Sequence, residues 1–175
     1  MRLYHSSNIS VEHPDTEHSR LYLDFGRGFY LTSLHEQAVR YAQRFKRRGQ
    51  QAWLNTYEFT CDETRWIIKR FESYDKEWLD FVAGCREGMD TGNYDMIIGG
   101  IANDRVIITL DRYFTGEISQ EEALGLLRFE KPNIQYCIRT DKMLHECLTF
   151  MVHPRIALVL SCSPSSSSVK YSSSL

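Results

Sequence analysis

The twenty residues from Leu23 to Ala42, LDFGRGFYLTSLHEQAVRYA, constrain the fold of this chain more than any other stretch. Gly26 and Gly28 precede Phe29 and Tyr30 in a short apolar run that reads as a strand, and glycine there permits positive φ and close backbone approach by a ligand. A helix is expected at once, because Ser33 and Glu36 stand in the S-x-x-E relation of a capping box. Leu34, Ala38, Tyr41, Ala42 and Phe45 then follow at helical spacing. Such a corner suits a flat ring stacking on Tyr30 while backbone N–H groups meet its polar atoms. Taken alone, the stretch reads more simply as a hairpin glycine turn followed by core aromatics.

At 175 residues and 42% apolar composition the chain suffices for one well-cored domain. Lys and Arg total 21 against 23 Asp and Glu, a formal charge of -2, so there is no global pull toward nucleic acid or anionic membrane. The five cysteines are scattered, odd in number and lack a C-x-x-C pair, which disfavours a disulfide framework or zinc knuckle and fits a reducing cytoplasm. The start, MRLYHSSN, has no apolar signal core, and no run approaches the roughly 18 residues of a spanning helix. A cytoplasmic location without membrane association is expected.

In chain order, Arg2–His5 reads as a first strand with His5 at its end, and residues 10–22 as a solvated loop. Lys46, Arg47 and Arg48 before Gly49 read as a cationic last helical turn with a C′ glycine. Ala52–Phe59 and Arg65–Phe71 read as strands, 75–86 as an amphipathic helix around Trp78, and Tyr94–Gly100 as a short buried strand. Asn103 or Asp104 is expected to cap a helix carrying Val106 and Leu110. Ser119 and Glu122 form a second S-x-x-E box. Ile134–Ile138 reads as a strand, Thr140 as the cap of a short helix, and Leu148–Val152 as a final strand. Beyond residue 152 nine of the last fifteen residues are serine, so 1–152 is expected to be the domain and 153–175 a disordered tail.

His5 at the end of strand one, Tyr30 in G-R-G-F-Y-L-T and Gln135 in N-I-Q-Y share their order and context with a known family. They resemble the ADP-ribosyltransferases of the diphtheria-toxin and poly(ADP-ribose) polymerase type, where a first-strand His-Gly, a G-x-G-x-Y stretch and a late-strand Glu occur in that order. LYH, LDFGRGFYLT, KRFESYDKEWLDFV, YDMIIG, ANDRV, ISQEEAL and Q-Y-C are also similar to a bacterial family grouped with that fold. The resemblance runs from about Leu3 to Phe150. It implies an α+β fold of two packed, mostly antiparallel sheets with flanking helices.

The resemblance further implies NAD as co-substrate, no metal, and a catalytic set of His5, Tyr30 and Gln135. His5 would hydrogen-bond the nicotinamide ribose, the Ser6 backbone would hold the carboxamide, Gly28 would lie against the cofactor, and Tyr30 would stack on nicotinamide. Gln135 departs from the family's Glu: it can bond a ribose hydroxyl but offers no negative charge to an oxocarbenium-like transition state. Single transfer to a protein or nucleic-acid acceptor is therefore expected rather than polymer growth. Glu130 and Asp104 are candidate replacement carboxylates, and residues 128–134 the acceptor-selecting loop. The implied setting is a bacterial intracellular toxin held by a small antitoxin-like partner protein. The alternative is a catalytically degenerate module that binds NAD or ADP-ribose. No Ser-His-Asp triad, P-loop or H-x-x-x-H pair is present.

Overall fold

A computed structural model describes residues 1–89, 91–101, 104–130 and 132–151, with the side chain of Asp104 left aside. The described residues form seven strands and five α-helices: β1 (Arg2–Ser7), β2 (Phe29–Thr32), α1 (His35–Arg47), β3 (Trp53–Phe59), β4 (Ile68–Arg70) and α2 (Lys76–Glu87) come first. Then follow β5 (Met96–Gly100), α3 (Asp104–Phe114), α4 (Gln120–Leu127), β6 (Ile134–Ile138), α5 (Asp141–Cys147) and β7 (Leu148–Phe150). The class is α+β, as the sequence implies. The strands form one sheet in the order β4-β5-β6-β2-β1-β3-β7, not two packed sheets, and every pairing but β4–β5 is antiparallel. The expectation of two sheets fails at a single point. β1 runs beside β3 over six register pairs but touches β2 only at Tyr4↔Thr32, so one backbone pair joins two blocks into a single sheet.

The twofold periodicity of the strands assigns their faces. Ile97 and Cys137 meet Trp78, Leu79 and Val82 of α2, Val106 and Leu110 of α3, and Leu127 of α4 in one buried cluster. Leu3, Phe29, Leu31, Tyr57, Met96 and Ile138 meet Met143 and Leu144 of α5 in the other. Burying Trp78, with no exposed surface, contributes a few kcal/mol.

Local capping follows the sequence at the start of α4 and the end of α1, and departs from it at the start of α1 and at α5, where Thr140 is the N-cap but spends its hydroxyl on Asp95 Oδ1 instead of a cap bond. The Asp75 carboxylate accepts from Trp78 N at the start of α2. Ser119 and Glu122 form the complete reciprocal box that opens α4. Gly49, at φ 71°, closes α1 as its N–H donates to the Lys46 carbonyl. At the other end of α1 the predicted Ser33–Glu36 box is absent: Leu34 is the N-cap, and its N–H already donates to Thr32 Oγ1 at 3.1 Å. The expected strand from Arg65 shortens to Ile68–Arg70, because Asp62 accepts from Thr64 N and Oγ1 and winds Glu63–Arg65 into a 3-10 turn. The readings of Asn103 as a cap and of 153–175 as a tail fall outside the described residues.

Candidate functional site

β1 and β2 part company beside His5. Met1 and Phe59 exchange backbone hydrogen bonds, so by alternation Leu3, His5 and Ser7 turn their backbone groups to β3, whereas Tyr4 and Ser6 turn theirs to β2. The same counting from Arg139 N on Asp95 O directs Tyr30 and Thr32 toward β1. Tyr4 finds Thr32. Two residues on, where Ser6 would face Tyr30, no backbone pair forms among the described residues. The result is a notch between two strand edges.

His5 spans it. Nδ1 lies 2.8 Å from the Tyr30 carbonyl, and since a carbonyl only accepts, Nδ1 carries the proton. The ring rests on Phe29 with centroids 4.4 Å apart. Burial lowers the imidazole's pKa, more than the bond to Tyr30 raises it, so at neutral pH the ring is uncharged and Nε2 is an acceptor. Ser6 is fixed from the other side, its hydroxyl donating to the Ala38 carbonyl of α1 at 2.6 Å. Ala38 and Ala42 are buried, which lets the helix lie close to β1.

Tyr30 serves the glycine loop. Its hydroxyl donates to Gly26 O at 2.7 Å and accepts from Phe25 N at 3.1 Å. Burial, with neighbouring Cys137, pushes that hydroxyl's pKa far up, so it stays protonated. Gly26 takes φ 70°, the left-handed turn these bonds close. Gly28 is a packing glycine: a Cβ there would stand 2.6 Å from Cys137 Sγ and 2.7 Å from Ile138 O. Its N–H donates to Ser19 Oγ at 3.1 Å, so this amide is engaged within the protein. Arg27 ties the loop to the Thr16 and Glu17 carbonyls, and Asp24 receives two bonds from Arg86 of α2.

Gln135 lies opposite Thr32 on one side and Gly99 on the other. Tyr30 is opposite Cys137, so Tyr30 and Gln135 share a face as diagonal neighbours, roughly 7–8 Å apart. The Gln135 carboxamide makes no hydrogen bond to a described residue, whereas Thr32 Oγ1 reaches Gln37 Oε1 at 3.2 Å. His5 follows Leu3 on the opposite face. The structure thus joins His5 and Tyr30 directly, sets Tyr30 and Gln135 side by side, and places Ser6 at the opening between the two faces. Glu130 sits 3.6 Å from Arg105. Thr32, Gln37 and Ser19 were not legible as site residues, since only the folded register brings them there. Two shallow clefts of about 290 and 350 Å³ lie elsewhere, around Asp95 and Arg139 and around Tyr74 and Glu130.

Over residues 1–150, from before β1 to the end of β7, the sequence matches the model of a family described as Protein of unknown function (DUF3990). The chain belongs to the DUF3990 family. The matched span contains every DUF3990 residue placed around the notch: His5, Ser6, Gly28, Tyr30 and Gln135. No curated protein and no solved structure matches the chain. No described helix of this DUF3990 protein is long and apolar enough to cross a membrane.

Proposed function

We propose that this protein is an NAD-dependent mono-ADP-ribosyltransferase with a fold of that family's kind, and that the nicotinamide end of NAD enters the notch between β1 and β2. The observation that carries the reading is Ser6: its backbone N–H and C=O turn toward β2 where the strand pairing has stopped. A primary carboxamide is the complement of such a pair, one oxygen accepting and one NH₂ donating.

Around that anchor the other groups have roles. His5 Nε2 accepts from a ribose hydroxyl while Nδ1 remains on Tyr30 O. Tyr30 holds the loop that borders the notch, and Gln135, on the face of the sheet opposite His5, offers its amide to a hydroxyl of NAD or of the acceptor on that side. The bond between nicotinamide nitrogen and the ribose anomeric carbon breaks with its electron pair leaving on nicotinamide. A nucleophilic atom of the acceptor then bonds to that carbon and loses its proton. Positioning supplies most of what the site offers, as Gln135 lends no charge to the cationic transition state. Single transfer to a protein or nucleic-acid acceptor follows, in a bacterial cytoplasmic toxin held by a small partner protein. Gln135 also favours a second reading, a module that binds NAD or ADP-ribose without turnover.

The test is transfer of label from adenine-labelled NAD into a bacterial lysate, with His5→Ala alongside. Label that the variant loses, and that either protease or nuclease releases, supports the transferase. Saturable NAD binding with neither label nor free nicotinamide leaves the binding module.

A further inference from the structure

The exposed side and the C-terminal turn of α1 are densely cationic. Arg40, Arg44, Lys46, Arg47 and Arg48 fall within nine residues that contain no acid. Set apart from a chain of formal charge -2, these five leave a remainder of -7. All five are exposed. Arg40, Arg44, Arg47 and Arg48 make no ion pair among the described residues, unlike Arg65, Arg70, Arg86 and Arg112, each held by a carboxylate.

Geometry gathers the charge into a line. Arg40, Arg44 and Arg47 stand at four- and three-residue spacing and so share one stripe, about 10 Å long at the helical rise. Ala38 and Ala42 face the opposite way, buried on the sheet. The Arg44 guanidinium lies 4.9 Å from the centre of the Tyr41 ring, which steadies it at the edge of the stripe.

We propose that this stripe is a nucleic-acid-binding surface that grips the phosphate backbone. A helix-end role accounts for Arg44, Lys46 and Arg47 of the last turn but not for Arg40, which lies a turn earlier and continues the same stripe. Planar guanidinium groups match phosphate oxygens two at a time, and an acid-free row lets a polyanion run along it. A bilayer fits less well, since α1 turns its apolar side to the sheet and has none to insert. The stripe stands on its own charge and spacing. Under the transferase reading it would deliver the acceptor, yet binding is measured without NAD and so fails or holds separately from turnover.

The experiment is fluorescence anisotropy of short labelled oligonucleotides, single-stranded and duplex, against the full chain over a salt series. Salt-sensitive binding is expected. Its log–log slope should fall by about 2 in the Arg40→Gln/Arg44→Gln/Arg47→Gln variant, at about 0.7 for each single-strand phosphate no longer neutralised. Affinity at low salt should drop at least tenfold, while Arg65→Gln/Arg70→Gln leaves it unchanged. Absence of binding at low salt, or equal binding by the triple variant, would overturn the proposal. So would equal affinity for poly-glutamate, which would make the stripe a general anion surface, or displacement by stoichiometric ADP-ribose, which would assign it to the co-substrate.

Discussion

His5 Nδ1 donates to the carbonyl of Tyr30 at 2.8 Å, and this one bond crosses between strands whose own pairing has ended at Tyr4↔Thr32. The imidazole stands in for a missing rung of the sheet and leaves the Ser6 backbone with no strand pair on the β2 side among the described residues.

That substitution makes stability depend on pH. Burial holds the folded-state pKa of His5 below its ordinary value, so in mildly acidic solution the unfolded chain takes up a proton that the folded chain refuses. The stabilisation is complete above about pH 6.5 and is lost as pH falls through that value toward the lower folded pKa. The melting temperature of the wild type should drop from about pH 7 to about pH 5, and His5→Gln should flatten part of that drop. Parallel pH profiles would contradict the burial of a neutral ring.

Removing the Tyr30 hydroxyl isolates its structural work. Tyr30→Phe deprives Gly26 O and Phe25 N of their partner and should cost about 1–3 kcal/mol by denaturant titration. Because the loss is centred on the loop from Asp24 to Gly28, limited proteolysis should cut there first. A variant as stable as wild type would show that water replaces the hydroxyl without cost.

Gly28→Ala should be more damaging than its size suggests. The added methyl would meet Cys137 Sγ at 2.6 Å and the Ile138 carbonyl at 2.7 Å, atoms of a central strand that cannot easily withdraw. A loss on the order of 3 kcal/mol is expected. A soluble variant of unchanged melting temperature would contradict the close approach of β2 and β6.

The two S-x-x-E sequences separate signal from structure. Ser119→Ala removes a formed cap and should cost about 1 kcal/mol, whereas Ser33→Ala, at an exposed residue outside the cap of α1, should change stability little. Equal losses would restore the box at α1.

Much of the fold was legible. The strands at Phe29–Tyr30 and Tyr94–Gly100, the amphipathic helix around Trp78, the Ser119 box and the cationic last turn before Gly49 all act over a few residues, where sequence is most informative. What was not legible depends on which of several partners wins, near in the chain at α1 and distant elsewhere. Thr32 capping Leu34 defeats the Ser33 box, Ser19 occupies the Gly28 amide, and a single Tyr4↔Thr32 rung merges two expected sheets. The candidate site shows the same division. The order of His5, Tyr30 and Gln135 is visible in the sequence, but only register reveals that His5 lies across the sheet from the other two.

Nicotinamide release from NAD by the purified protein, compared with His5→Ala and Gln135→Glu, tests the central claim most directly. Slow release by the wild type is predicted, with loss in His5→Ala and faster release in Gln135→Glu, whose carboxylate supplies the missing charge. No release from any of the three proteins would contradict the transferase assignment.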